Sequence, residues 1–263
     1  MSSTPRANLV GMLHLPALPG RPNHDGRSLD DVVAAAVTDA RVLEQAGFDA
    51  ILVQNSLDRP TREHVDAATI AQLTVIAASV REAVDLELGI NVVKNDGPAA
   101  VAIAAAVGAS FVRVKVHTGV VLSAEGLVAG AAEETLQLRA RLGAGVEIWS
   151  DVHDPTSRPL MGDSLTAAAV DAIDFGGAEA VIITQATVAQ SCEAIETLRP
   201  RLPRARFVIG GKADLRSIGR AAQVADAVIV GSALKRDPGI VGRIDLELAA
   251  GLVEAAGATE ALA

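Results

Sequence analysis

The sequence predicts an α/β protein, a single (β/α)8 barrel spanning residues 1–263. Three observations carry that expectation. Short β-rich runs alternate with Ala-rich helical stretches from end to end, the pattern of a parallel sheet built from βα units. The length of 263 residues suits one such barrel. Two Gly-bearing turns, Phe207-Val-Ile-Gly-Gly-Lys-Ala-Asp214 and Ala227-Val-Ile-Val-Gly-Ser-Ala-Leu-Lys235, then sit one strand-helix unit apart near the end. Such turns after the seventh and eighth strands form the usual phosphate site of these barrels. Gly lets the backbone approach an anion closely, and N–H groups at a helix start donate to it.

The apolar runs place strands at 9–13, 50–54, 87–93, 111–116, 147–152, 180–184, 206–209 and 227–230. Helices are expected at 29–46, 67–84, 98–107, 131–142, 164–176, 188–199, 214–222 and 242–256. Several helix-to-strand junctions share one form, such as Ala46-Gly-Phe-Asp-Ala50 and Val107-Gly-Ala-Ser-Phe111, with Gly as the left-handed cap past the helix. A doubly wound open sheet is the competing fold. It favours a Gly-x-Gly-x-x-Gly after the first strand, which this chain lacks.

Composition narrows the function. Hydrophobic residues make up 50% of the chain while aromatics make up 2%, so Ala, Val, Ile and Leu must fill the core and ring stacking on a base is disfavoured. A net charge of −9 argues against a nucleic-acid partner, which demands clustered Lys and Arg. One cysteine, Cys192, leaves no intrachain disulfide or Cys-rich metal site. No run is long and apolar enough for a membrane span, and the first eight residues lack a signal-peptide pattern, so a cytoplasmic location is expected. A homo-oligomer is compatible with an Ala-rich acidic barrel, but no interface is legible.

Side chains at the C-terminal strand ends face the active site of such a barrel, and that rule selects the candidates. His14, after the first strand, is the leading acid/base group, or else a histidine hydrogen-bonded within the mouth. Gln54 and Asn55 after the second strand, and Asn91, Asn95 and Asp96 after the third, offer hydrogen bonds to a substrate; Asp96 could equally cap a helix. Lys94 is a candidate amine nucleophile or a solvated lysine. Arg113, Lys115 and His117 fall on one face of the fourth strand by alternation and call for anionic partners. After the fifth strand, Asp151, His153 and Asp154 bring carboxylates and imidazole together, as an acid/base set or as ligands for a divalent metal such as Mg2+. Thr184 adds a neutral polar group, and Gly210, Gly211, Lys212, Gly231 and Ser232 form the expected phosphate cradle.

These motifs resemble a known family. Gly11-Met-Leu-His-Leu-Pro-Ala-Leu-Pro-Gly20, Gly89-Ile-Asn-Val-Val-Lys-Asn-Asp96, Phe111-Val-Arg-Val-Lys-Val-His-Thr-Gly119 and Val230-Gly-Ser-Ala-Leu-Lys235 are similar to the BtpA/SgcQ family over nearly the whole chain. The resemblance implies a ribulose-phosphate-binding type of barrel. It also implies two alternatives: enzymes of sugar or nucleoside metabolism, or a photosystem I biogenesis role. Three positions depart from the family pattern. Gln54 stands where the family has an acid, Asp151-Val-His-Asp-Pro-Thr-Ser157 lacks a Lys-His pair, and Gln185 replaces a glycine. They imply a shifted substrate or reaction, or lost catalysis. The expected partner is a small phosphorylated sugar or nucleotide-like compound, undergoing isomerisation, lyase chemistry or glycosidic cleavage. The alternative is a non-catalytic assembly factor.

Overall fold

Eight parallel strands close on themselves in the computed structural model, which describes residues 8–161, 164–237 and 242–257. The N-terminal residues read for a targeting signal lie almost wholly outside these. In chain order the strands are β1 (Asn8–His14), β2 (Ala50–Gln54), β3 (Glu87–Asn91), β4 (Phe111–Val114), β5 (Val120–Ser123), β6 (Gly126–Ala129), β7 (Glu147–Val152), β8 (Ser157–Pro159), β9 (Ala180–Ile183), β10 (Arg206–Gly210) and β11 (Ala227–Val230). The barrel runs β1-β2-β3-β4-β7-β9-β10-β11 and back to β1, which is the closed fold expected. Around it lie α1 (Leu29–Ala46), α2 (Ala67–Ala83), α3 (Gly97–Val107), α4 (Ala132–Leu142), α5 (Leu165–Val170), α6 (Val188–Leu198), α7 (Ile218–Val224) and α8 (Leu246–Gly257). A π-helical turn, Asp171–Phe175, continues α5. No helix among the described residues is long and apolar enough to cross a membrane.

Period-two alternation divides the strand residues between two cores. Leu9, Ile51, Val53, Val112 and Ile148 face outward and pack under the helices. Val10, Met12, Ala50, Leu52, Phe111, Trp149, Ala180, Ile182, Val208, Ala227 and Ile229 fill the barrel itself. Phe111 and Trp149 stack there with centroids 3.9 Å apart and planes 13° from parallel. So the barrel spends two of its few aromatics on its own interior. Gly89, paired in register with Phe111, makes the stack fit, because a Cβ at Gly89 would lie 2.2 Å from the Phe111 ring.

Two expected strands end early, and the cause is visible in each case. The chain past Asn91 leaves the ladder because Val93 N–H donates to Asn55 Oδ1 (2.9 Å). Past Val114, Val116 N–H donates to Asn95 Oδ1 (2.7 Å) while Asn95 Nδ2 donates to the Val116 carbonyl (2.8 Å). Side-chain amides thus take over the backbone pairing that a longer strand would supply. The seventh helix begins at Ile218 rather than 214, because Asp214 instead accepts from the Ser217 N–H (3.0 Å) and hydroxyl (2.6 Å) in a tight turn.

A second sheet, ordered β6-β5-β8, was not expected from sequence. Its hairpin follows β4 and its third strand follows β7, so it stands over the C-terminal end of the barrel wall. The apex residue Glu125 accepts from the Thr61 hydroxyl in the segment after β2. The hairpin therefore reaches back over the end of β3 to the segment that follows β2.

The tight Gly89–Phe111 contact generates a stability prediction. Gly89→Ala is expected to destabilise the fold by about 1–3 kcal/mol through overpacking. Combined with Phe111→Leu, it should cost less than the sum of the two separate effects, measured by urea unfolding in a double-mutant cycle.

Candidate functional site

The barrel interior changes from apolar to polar in a single step. Two residues beyond the last inward-facing residue of each strand stand His14, Gln54, Asn91, Arg113, Asp151, Thr184, Gly210 and Gly231. The strand-end rule selected all eight. His14, Gln54 and Asn91 are register partners across β1, β2 and β3, so they form a row.

Arg113 and Asp151 dominate this layer. The guanidinium donates twice to the carboxylate, Nε to Oδ2 at 2.7 Å and Nη2 to Oδ1 at 2.8 Å, with both side chains buried. Burial works against the Arg113 charge, but the Asp151 carboxylate outweighs it and holds the guanidinium above its ordinary range. Asn91 braces the pair by donating from Nδ2 to the Arg113 carbonyl (2.7 Å). Just above, Lys115 Nζ lies 3.3 Å from Asp154 Oδ2 and 3.9 Å from Asp151 Oδ2. Burial, then the neighbouring Arg113 charge, lowers the Lys115 ammonium pKa against the pull of both carboxylates. Burial alone would raise Asp154; Lys115, the Thr156 N–H, Arg113 and the Thr156 hydroxyl together bring it down to about 2. The network extends outward, because Thr156 Oγ1 donates to Asp154 Oδ2 (2.9 Å) and accepts from Lys94 Nζ (2.8 Å), which faces Glu125 at 3.9 Å.

His14 sits beside the turn after β11, where a Cβ on Gly231 would lie 2.7 Å from its Cε1. Burial, reinforced by the Lys235, Arg113 and Lys115 charges, pushes the imidazole down to about 3, so it is neutral at physiological pH. Its Nδ1 and the Oδ1 of Asn91 are buried side-chain atoms without a hydrogen-bond partner. Buried polar atoms are almost always paired, so two orphans facing one mouth mark a place for polar groups of a ligand. On the adjoining side Thr184 Oγ1 donates to the Gly210 carbonyl (2.7 Å), and the chain then turns left-handed at Gly211 (φ 101°) and Lys212 (φ 64°). Lys212 Nζ folds back onto the Gln185 and Ala186 carbonyls at 2.9 and 3.1 Å. Ser232 opens a short 3-10 turn directly after Gly231.

Other sequence-selected residues build the mouth rather than line it. Asn55 bridges Val93 and Asp58 (2.9 Å each), and Asp58 accepts from Leu18 N–H (2.8 Å). Asn95 clamps Val116 and the Ala129 carbonyl (3.0 Å). Asp96 caps α3 through Ala99 N–H (2.9 Å) and holds Val65 N–H (2.8 Å). Gln54 donates to Ser56 Oγ (3.0 Å). The expectation that His117 shares a face with Arg113 and Lys115 needs correcting. Because β4 ends at Val114, strand alternation stops there, and the His117 imidazole is buried against the Gly176 carbonyl (2.7 Å) at the end of the π-helical turn. His153 has left-handed backbone (φ 56°) immediately before Asp154.

The donor set does not suit a divalent metal at Asp151, His153 and Asp154. Both Asp151 oxygens accept from Arg113, and Lys115 stands where a cation between the carboxylates would be. Among the described residues no group of three or more His, Cys, Asp or Glu side chains converges as a ligand set. The residues that sequence reasoning missed are Thr156 and Glu125. Their signals were present: an Asp-x-Thr turn in which Asp154 accepts from Thr156 N–H (3.0 Å), and Glu125-Gly126 at a hairpin apex.

Comparison with known sequences places the chain among relatives. The BtpA family profile matches residues 6–258. The chain belongs to the BtpA family. An uncharacterized protein of Thermococcus kodakarensis is 36% identical, over 95% of this chain and 95% of its own length. The Photosystem I biogenesis protein BtpA of Synechocystis sp. is also 36% identical, over 94% of this chain and 87% of its own. Among solved structures, 7,8-dihydropteroate synthase from Vibrio fischeri superposes with a TM-score of 0.61 at 17% identity, covering 98% of this chain and 94% of that one. That likeness concerns the barrel fold.

Two predictions follow from the electrostatics. Between about pH 3 and the ordinary 6.5 of histidine, the unfolded chain carries a proton that folded His14 does not. Stability therefore rises with pH across that window and is lost as pH falls, with a slope of at most about 1.4 kcal/mol per pH unit from this site. In urea titrations between pH 4 and pH 7, His14→Gln should flatten the slope; His117, which burial also depresses, contributes to the part left, together with shifted carboxylates such as Asp154 at the acid end. Asp151→Asn, by leaving Arg113 buried without its counter-charge, should destabilise the fold by about 3–5 kcal/mol in urea unfolding at pH 7.

Proposed function

We propose that this chain is an enzyme that binds a small phosphorylated compound, sugar-like or nucleotide-like, at the C-terminal mouth of the barrel and moves a proton within it. The carrying observation is the pair of orphaned buried atoms, His14 Nδ1 and Asn91 Oδ1, with His14 against the glycine turn at Gly231. In this reading the phosphate rests on Gly210, Gly211 and Lys212 on one side and on Gly231 and Ser232 on the other. These turns are neighbours because β10 and β11 pair in parallel. Asn91 Oδ1 accepts from a substrate hydroxyl, while Gln54 and Thr184 flank it. Arg113 holds Asp151 oriented through two hydrogen bonds, and Lys94 and His153 border the site.

Neutral His14 is suited to accept a proton and unsuited to donate one. Burial first, and then Lys235, Arg113 and Lys115, depress its pKa. An anion bound among these cations offsets their part of the shift while the larger part, from burial, remains, so the substrate itself would strengthen the base. Proton abstraction beside a carbonyl, as in isomerases and lyases, uses this arrangement directly. Glycosidic cleavage uses it less well, because Asp151 and Asp154 are both engaged by cations.

A second reading, an assembly factor, has one relative in its favour, the Synechocystis protein named for photosystem I biogenesis. Exposed apolar residues on and near the small sheet, Leu122, Leu127, Leu160 and Met161, would serve it as a contact surface.

Thermal unfolding against matched pairs of phosphorylated and unphosphorylated sugars and nucleosides separates the readings. A bound compound at about 100 times its Kd stabilises the native state by about 2.7 kcal/mol. The enzyme reading expects a shift with a phosphorylated member and not with its partner, and Gly211→Asp should abolish that shift. Equal shifts with both members, or none with either, would sink the phosphate site and favour the assembly role.

A further inference from the structure

Lysine is scarce in this chain, and its placement is selective. The four lysines are Lys94, Lys115, Lys212 and Lys235, which follow β3, β4, β10 and β11, all at the mouth. Every other basic side chain among the 23 Lys and Arg residues is arginine. As a surface cation arginine does as well as lysine. Only lysine, however, can shed its proton and expose an amine lone pair. A chain that confines lysine to its mouth retains amines where their chemistry could be used.

The surroundings distinguish Lys115 from the rest. Lys94 is engaged by a threonine hydroxyl and faces one carboxylate, Glu125, at 3.9 Å, and Lys212 is engaged by two backbone carbonyls that cannot take its proton. The carboxylate that acts on Lys235 is Asp39, on α1 outside the barrel wall. Lys115 alone lies between two buried carboxylates, beside Arg113 and close enough to His14 to act on its charge. The two carboxylates differ in role. Asp151 has both oxygens on Arg113, whereas Asp154 is held by a hydroxyl, a backbone N–H and Lys115 itself.

We propose that Lys115 forms an imine with the aldehyde or ketone carbonyl of a small phosphorylated substrate, with Asp154 as its proton shuttle. This rests on the reading that the mouth binds such compounds, and it names their reactive group. The step balances within the site. The Lys115 ammonium passes a proton to Asp154, and the freed lone pair attacks the carbonyl carbon while the carbonyl π pair moves to oxygen. Asp154 returns its proton to that oxygen. The resulting carbinolamine loses hydroxide, which takes a second nitrogen proton and leaves as water. Net, ammonium plus carbonyl gives iminium plus water, and no co-reactant is needed. Burial and Arg113 both favour the first transfer by weakening the ammonium. As Lys115 discharges, the positive charge that holds Asp154 ionised goes with it, so that carboxylate becomes a better acceptor. The iminium then acidifies the adjacent C–H, which is the proton that neutral His14 is placed to take.

Borohydride trapping tests this. The protein is incubated with dihydroxyacetone phosphate or with ribose 5-phosphate, reduced with sodium borohydride, and read by intact mass and peptide mapping. The expected result is a stoichiometric secondary-amine adduct on Lys115, suppressed by excess inorganic phosphate. Lys115→Arg, which keeps a cation between Asp151 and Asp154, should lose the adduct while keeping native circular dichroism and the thermal shift. An adduct on Lys94, or one scattered over the lysines, overturns the assignment. A thermal shift without any adduct rejects the imine and leaves the phosphate reading standing. Neither shift nor adduct with these probes rejects both.

Discussion

The buried pair of Arg113 and Asp151 is the interaction on which the rest of the mouth depends. It stands where the apolar filling of the barrel ends, directly above the stacked Phe111 and Trp149, and ties β4 to β7 through two hydrogen bonds. Burying two charges costs more than a well-packed apolar pair would, so such a pair is weak evidence of design for stability. Its consequences for neighbours are specific. Arg113 lowers the Lys115 ammonium and helps to lower His14, while Asp151 is fixed too firmly to serve as the mobile proton carrier. From Asp154 the same network continues through Thr156 to Lys94 and then Glu125, which carries the barrel's electrostatics out to the small sheet. Burial is the larger cause at His14 and Lys115, and the ion pair adds to it at several groups that the proposed chemistry uses.

The barrel was legible because its signal is repeated eight times, and each strand end could then be read with one rule. That rule selected the whole polar layer from His14 to Gly231. It failed where side chains rather than ladders determine the backbone. Asn55 and Asn95 read as ligands because they are polar and follow strands, yet their amides are taken by Val93, Val116 and Ala129. Nothing in local sequence separates an amide that will cap a strand end from one that will meet a substrate; these backbone partners are 21 to 38 residues away. His117 failed for the related reason that alternation was carried past the end of β4. The small sheet was missed because its strands are three or four residues long and expose Leu122 and Leu127, so they lack the one-sided burial that makes a strand readable.

Scarcity of aromatics shapes recognition as much as packing. Phe111 and Trp149 are enclosed in the barrel, Phe48 and Phe207 are buried, and Phe175 is exposed at the π-helical turn. None of them offers a stacking surface in the layer that runs from His14 to Gly231. What the mouth presents instead is charge, amide, hydroxyl and bare backbone. Such a surface discriminates by hydrogen-bond count and by anion placement, and it rejects a ligand that leaves those groups unpaired far more strongly than one that merely fills less space. A compact, hydroxylated, anionic compound matches it better than a planar base.

The same reasoning weighs the enzyme against the assembly factor. A scaffold needs an intact fold and a contact surface; it has no use for unpaired polar atoms inside its barrel. Leaving His14 Nδ1 and Asn91 Oδ1 without partners forfeits about 1–3 kcal/mol for each group. A lysine buried between two carboxylates beside an arginine adds a further desolvation cost. A scaffold free of selection for chemistry would be expected to relax these features to apolar packing, as the layer directly beneath has done. Their grouping at the one mouth, which also holds two glycine turns and all the lysines of the chain, argues that the strain is kept for a ligand. The exposed apolar residues of the small sheet fit this view as well as the other, since a barrel can carry a partner on its rim while its mouth remains a site for chemistry.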